Sequence, residues 1–197
     1  MITLERFKLL EAALRSRGFG ATIQWSETIV PPTIAEAYAE HAIYVICSSG
    51  MANNVALTIF ERVMASLQSG CMAAEVFKHP GKAKAIDTIW RERAPLFQQY
   101  LEADDKVEAL RALPFIGQVT ALHLAKNLGA DTAKPDVHME RLARREQTTT
   151  AQLCARLSQD TGYRVATIDT ILWRACAEKL LNSRVYELDG WEAALKL

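Results

Sequence analysis

An all-α protein of two helical lobes is the fold class that the sequence predicts, and three observations predict it. Apolar residues recur at three- and four-residue spacing along most of the chain. Glycine and proline are scarce, nine and six among 197 residues, and they fall mainly between those runs. Nowhere do Val, Thr and Tyr keep up the two-residue alternation of a half-buried strand. Hydrophobic residues make up 50% of the chain and charged ones 23%, so it can bury a real core.

The elements follow in order. Residues 3–17 place Leu4, Phe7, Leu10 and Leu14 on one helical face, and Gly18 and Gly20 stop that helix. A loop then runs through Trp25 to Pro31 and Pro32; its ATIQW segment has the character of a short extended piece without a partner. Thr33 caps the next helix, with Glu36 completing a capping box. Ile34, Ala37, Tyr38, His41, Ala42 and Val45 form its inner face. Its AIYVIC end is apolar all round and should be buried. Ser48, Ser49 and Gly50 break it. A helix over 52–67 turns Val55, Ile59, Val63 and Met64 inward. CMAAEVF is a short helix that ends near His79, Pro80 and Gly81. Residues 82–101 read as one long amphipathic helix through Ile86, Ile89, Trp90, Leu96 and Tyr100.

Asp104 and Asp105 open a helix through Val107 and Leu110 that ends at residue 112. Another starts at Gln118 and stops at Gly129, and Asp136 opens the next. TTTAQLCARLSQDTG is helical up to Gly162. A further helix spans about 164–181 with Val165, Ile168, Ile171, Leu172 and Ala175 inward, and Asp189 caps a last one, DGWEAALKL. The count is about ten helices, without an internal repeat or linker. Residues 33–130 are expected to form one lobe. Residues 1–32 and 131–197 form the other, with a cleft between them.

The charge is balanced, 23 basic against 23 acidic residues, so any affinity for nucleic acid needs a local basic face. Cys47, Cys71, Cys154 and Cys176 form no C-x-x-C pair, so no zinc ribbon or compact metal cluster is expected. Buried thiols in a reducing compartment are the reading instead. The MITLERFKLL start mixes acid and base on an amphipathic helix, unlike a signal peptide, and no apolar run is long enough for a membrane span. A monomer in the cytoplasm or nucleoid, without a membrane partner, is expected.

Residues 113–145, LPFIGQVTALHLAKNLGADTAKPDVHMERLARR, carry the densest set of positional constraints. A turn of so few residues leaves the backbone N–H groups around 117–120 without helical partners, and such groups suit a phosphate oxygen. Gly117 has no Cβ to obstruct the approach. The same turn also serves as an ordinary packing corner. Pro135 keeps Lys134 extended, and Asp136 then starts a helix. Asp136 is either a simple N-cap or a carboxylate held for chemistry.

Taken together, LPFIGQVTA at 113–121 and PDVHM at 135–139 resemble the helix-hairpin-helix DNA glycosylases, the HhH-GPD superfamily. The DVHM tetrad is nearest to the 8-oxoguanine branch. Ile46, Cys47, Ser48 and Ser49, with Glu61 and Arg62 further on, are similar to the helix-loop-helix that carries that branch's DNA-inserted residue.

The resemblance implies an enzyme of base-excision repair that acts on a lesion in double-stranded DNA, with an oxidised purine favoured. Asp136 would be its catalytic carboxylate, stabilising positive charge on the deoxyribose and orienting water. Phe115, Gly117, Val119, Thr120, His138 and Arg141 would meet the DNA backbone. No cofactor is required; a monovalent cation on the hairpin carbonyls is the one ion implied, and no metal site is expected. Val119 stands where bifunctional relatives carry a Schiff-base lysine, which implies hydrolysis without strand cleavage. Lys134 is the one nearby amine that can restore lyase chemistry. Phe115 replaces the usual hairpin glycine.

The base-opposite wedge is expected among Gly50, Met51, Asn53 and Asn54. Gly50 replaces the inserted Asn, Met51 is an apolar wedge, and the two asparagines either read a base or simply start a helix. For the base pocket the candidates are Asp169 and Trp173, four apart on one helix, and Trp25. His138 serves either a phosphate or a core hydrogen bond. Arg141, Arg144 and Arg145 give the Asp136 helix a basic face. The alternatives are a non-catalytic helix-hairpin-helix DNA-binding module and a glycosylase/lyase using Lys134.

Overall fold

The computed structural model describes residues 1–196, the Asn53 side chain excepted. In chain order the elements are α1 (Leu4–Leu14), a π-helical turn (Arg15–Phe19), α2 (Gly20–Thr28), α3 (Ala35–Ser48), α4 (Asn53–Gln68), a 3-10 turn (Ala73–Glu75), α5 (Pro80–Arg91), α6 (Arg93–Glu102), α7 (Lys106–Arg111), α8 (Gln118–Asn127), α9 (Val137–Arg145), α10 (Thr150–Thr161), α11 (Val165–Ala177), α12 (Ser183–Asp189) and α13 (Trp191–Ala194). The described residues hold no strand, only an isolated bridge between Leu181 and Leu195. The fold is all-α, as its periodicity predicts.

The chain divides into two compact units. One is Val30–Leu128. The other joins Met1–Ile29 to the chain from Gly129 onward. The expected lobe began at 33 and ended at 130, so the boundaries differ by three residues and by two.

In the Val30–Leu128 unit, α3 is the central helix. Tyr38, Ala39, Ala42, Ile43, Val45, Ile46 and Cys47 are all buried, as an all-round apolar run requires. Against it pack α4, α5, α6 and α8. The Tyr38 ring meets those of Phe97 and Tyr100 at 5.4 and 5.3 Å. Each fully buried Ile here contributes about 1.5–3 kcal/mol through the water it sheds.

Five expectations fail in this unit. Thr33 does not cap α3; the cap is Ile34, whose side chain is 56% exposed and donates no capping bond. Val55 points outward at 49% exposure, and Ala56 takes the inward place. CMAAEVF makes only the 3-10 turn Ala73–Glu75. The expected helix over 82–101 is broken at Glu92 into α5 and α6. Pro95 explains the break, because it has no N–H for the Arg91 carbonyl and its ring crowds that carbonyl. Helix α5 also starts earlier than expected. Pro80 is its first residue, and His79 caps it by accepting the Lys82 N–H at 3.2 Å.

The other unit is built around α11, where Ile168, Ile171, Leu172 and Ala175 are fully buried against residues such as Phe7, Leu10, Leu14, Leu142, Leu153 and Leu157. Residues 20–28 are helical, not a loop. Gly18 turns the chain at φ 88°, but Gly20 starts α2 rather than ending a helix. Packing of α2 on α11 outweighs the weak helix propensity of Thr and Ile in ATIQW. Asp189 ends α12 and caps nothing after it. Gly190, at φ 87°, takes the cap position, and a Cβ there would meet Arg145 Nη2 at 3.2 Å. The last expected helix is therefore only Trp191–Ala194, and Leu197 lies outside the described residues.

This unit draws on both stretches of chain, and Glu146 ties them together. Its side chain is 2% exposed. It accepts the Ile2 N–H at 2.5 Å, the Tyr186 hydroxyl, and Arg156 Nη2 at 3.2 Å. Arg156 Nη2 also holds the Ile2 carbonyl at 3.0 Å.

Two predictions follow from these packings. Glu146→Ala strands a buried N–H, a hydroxyl and a guanidinium, and should lower unfolding free energy by about 3 kcal/mol in urea titrations. His41, partly buried on α3, has its pKa held below the ordinary 6.5 by burial. The unfolded chain then binds a proton first as pH falls, so stability should drop from about pH 6.5 downward. His41→Gln should flatten that limb of the stability–pH curve.

Candidate active site

The hairpin of residues 113–117 begins where α7 ends. Asp105 caps α7 by accepting the Glu108 N–H at 3.0 Å. Leu113 and Ile116, 4% and 7% exposed, pin the turn to the core, and the Ile116 N–H closes it on the Leu113 carbonyl at 3.2 Å. Phe115 lies between them at φ 65°, a left-handed conformation unusual for an aromatic residue. The Phe115 ring is 46% exposed and meets His79 edge-on at 5.6 Å.

Lys82 lies buried at 4% exposure, its Nζ 5.9 Å from the Phe115 ring and 2.6 Å from the Ser49 carbonyl. One buried ammonium therefore touches both the hairpin and the loop after α3. Burial lowers the Lys82 pKa, and burial lifts the Cys47 thiol to about 11 although Lys82 opposes that rise. Nothing in the sequence distinguished Lys82 from the other charged positions of an amphipathic helix.

Helix α8 starts at Gln118, as the sequence predicts. The Gly117 N–H is not open to a ligand: it donates to Thr120 Oγ1 at 2.7 Å, and that hydroxyl returns a bond to the Gly117 carbonyl at 3.0 Å. This corrects the expected grip. Thr120 is a capping side chain, and the donors left in the first turn are the amides of Gln118, Val119 and Thr120. Val119 presents an isopropyl group at 40% exposure.

In the loop before α4, Gly50 turns at φ 71° and the Met51 N–H closes on the Ser48 carbonyl at 3.1 Å. Met51 is partly buried and Asn54 exposed, while the Asn53 side chain lies outside the described residues.

The second group gathers in the other unit, at the start of α9. Asp136 is its N-cap, with Oδ1 accepting the N–H groups of His138 and Met139 at 3.0 and 3.1 Å. Oδ2 lies 3.2 Å from Lys134 Nζ; the two side chains are 17% and 12% exposed. The Asp136 N–H turns back to the Lys134 carbonyl at 2.9 Å, a three-residue turn about Pro135. The Lys134 N–H donates to Asp169 Oδ1 at 3.0 Å, and its ammonium lies 5.1 Å from the Trp173 ring centre. The structure thus brings together Lys134, Asp136, Asp169 and Trp173 from two distant stretches. Burial, reinforced by the Asp136 charge and opposed by Arg141, raises the nearby Cys176 thiol to about 12. A carboxylate fixed in this way can stabilise a cation or steer a water molecule, and the amine beside it can act as nucleophile or proton carrier.

Other candidates land differently. Asp169 is fully buried and anchors the Lys134 backbone, so it is a support for the loop and not an exposed pocket group. Trp25 sits on α2 at 44% exposure; no hydrogen bond or ring contact among the described residues joins it to the cluster. His138 Nδ1 pairs with Ser183 Oγ at 2.8 Å, which gives it an internal partner. The expected basic face of α9 is largely engaged with α12. Arg144 binds Glu187 at 2.7 Å, Arg145 the Leu188 carbonyl at 3.1 Å, and Arg141 lies 3.8 Å from Glu187. Ser183 and Glu187 escaped notice because the sequence reading left residues 182–188 without an element.

No family model, curated protein or solved structure matches this chain. Among the described residues, no three His, Cys, Asp or Glu side chains are placed to share a metal ion, and no helix is long and apolar enough to cross a membrane.

Two substitutions separate the capping role of Asp136 from its charge. Asp136→Ala removes both amide bonds and should cost ~1–2 kcal/mol of stability in urea denaturation. Asp136→Asn keeps a capping oxygen and should lose much less.

Proposed function

We propose that this chain is a DNA N-glycosylase that hydrolyses the bond between deoxyribose and a damaged or modified base in duplex DNA, with oxidised purines the first substrates to test. One observation carries the reading: the largely buried Asp136 carboxylate is immobilised by two amides and an ammonium inside the motif that resembles the helix-hairpin-helix glycosylases.

A base within a duplex is out of reach, so the nucleotide leaves the stack before reaction. As the glycosidic bond stretches, C1′ becomes positive and the base takes the electron pair. Asp136 stabilises that charge through Oδ2 and directs water to C1′. Fixing Oδ1 on two amides keeps the carboxylate from turning away at that moment. The first-turn amides of α8 take backbone phosphates, which set position without reading sequence. Trp173, whose ring centre lies 5.1 Å from the Lys134 ammonium, is the aromatic group of the cluster suited to face the extruded base.

A second reading is favoured by the 3.2 Å contact between Lys134 and Asp136. After passing a proton to Asp136, Lys134 Nζ bonds to C1′ as the base departs. Opening of the C1′–O4′ bond, with a proton passing from Nζ to O4′, turns that adduct into an iminium, which permits strand scission by β-elimination.

A panel of duplexes with one lesion each, incubated with wild type and Asp136→Asn, tests both readings. Hydrolysis should release a base from at least one duplex, with strand breaks only after alkali. Asp136→Asn should lose ~10²-fold or more in rate. Release from no duplex would leave a non-catalytic DNA-binding module. Breaks without alkali, together with a borohydride-trapped complex lost in Lys134→Ala, would establish the amine route.

A further inference from the structure

A cavity of about 390 Å³ opens within the unit that carries Asp136, and three cationic residues distant in sequence line it: Arg141, Lys179 and Lys196. His138, one helical turn before Arg141 on α9, lines it too, with Nδ1 already engaged by Ser183. Leu181 supplies part of an apolar wall. Among the described residues, no Asp or Glu lines the space.

Lys179 and Lys196 are exposed side chains carried on fixed backbone. Lys179 stands just past α11 at φ 60°, where glycine is the ordinary residue, and its N–H closes on the Cys176 carbonyl at 3.1 Å. Lys196 is set by a backbone bond from its N–H to the Leu180 carbonyl at 2.8 Å. Neither lysine has an ion-pair partner among the described residues, and Glu187, 3.8 Å from Arg141, is held by Arg144 at 2.7 Å. Like charges brought to one concave space repel, and a bound dianion removes that cost while gaining charge-assisted hydrogen bonds. A planar guanidinium beside two ammonium groups suits phosphate oxygens. The volume exceeds what a lone phosphate needs and falls in the range of small-molecule sites.

We propose that this cavity binds a small phosphate monoester, its phosphate held by Arg141, Lys179 and Lys196 and its organic part lying against Leu181. The proposal stands apart from the glycosylase reading. All three cations converge on one cavity, whereas contacts to a duplex backbone are spread along the charged rod.

Isothermal titration calorimetry of the full chain tests it, with ribose 5-phosphate, inorganic phosphate and ribose as probes. Ribose 5-phosphate should bind saturably at one site and more tightly than inorganic phosphate, and ribose should not bind. Lys179→Gln with Lys196→Gln should weaken binding ~10-fold or more, while Lys84→Gln on the other unit leaves it unchanged. Lys179→Gly relieves the left-handed backbone, so it should fold at least as stably as wild type and still bind more weakly. Equal affinity in wild type and these cavity variants would overturn the proposal. So would displacement of the ester by an equimolar undamaged duplex, which would assign the cavity to backbone phosphate.

Discussion

Glu146 is the constraint on which the unit carrying Asp136 depends. That unit is assembled from two stretches of chain separated by the whole Val30–Leu128 unit, so its closure must be held by contacts between them. A carboxylate at 2% exposure, bonded to the Ile2 N–H, the Tyr186 hydroxyl and Arg156, joins the N-terminal segment, α10 and α12 at one point. Burying such a charge is tolerable because Ile2 and Tyr186 are themselves fully buried and Arg156 supplies an opposite charge at 3.2 Å. With the first segment in place, α1 and α2 can cover α11, and α11 can carry Asp169 and Trp173 to the Asp136 loop.

The Asp136 loop follows the same logic on a smaller scale. Its backbone is set by a buried acid from α11, its turn by Pro135, and its carboxylate by the first amides of α9. Cap, ion pair and candidate catalytic group are one side chain. The structural role therefore does not compete with the proposed chemistry; it supplies the immobility that the chemistry needs. The hairpin shows a related economy, since the buried Lys82 supports both the Phe115 turn and the Ser49 loop.

The parts of this fold legible in the sequence are those where local preference and tertiary packing agree. The Asp105 cap, the α8 start at Gln118 and the Asp136 cap all rest on interactions within a few residues, and AIYVIC is apolar enough on every side that the surrounding helices bury most of it. The misreadings lie where a distant partner decides. ATIQW is helical because α2 packs on α11. The role of Asp169 differs for a similar reason: its period on the helix puts it beside Trp173, but the fold buries it and sets its Oδ1 on the Lys134 N–H. The break at Glu92 is different, since Pro95 encodes it locally through its missing N–H and the clash of its ring with the Arg91 carbonyl.

By itself, then, the sequence determined that the protein is helical, where most helices start and stop, and that Asp136 stands at a helix N-terminus after a stiff Lys-Pro approach. These follow from hydrogen bonds and backbone preferences that span four residues or fewer. Only the tertiary structure decided that Lys134 touches Asp136, that the arginines of α9 are engaged with α12, that the Gly117 amide is already taken, and that Arg141, Lys179 and Lys196 share one cavity. Except for the Lys134 and Gly117 contacts, which turn on side-chain rotamers, those meetings join residues tens of positions apart. No periodicity along the chain encodes such distances; the packing of α9, α11 and α12 sets them.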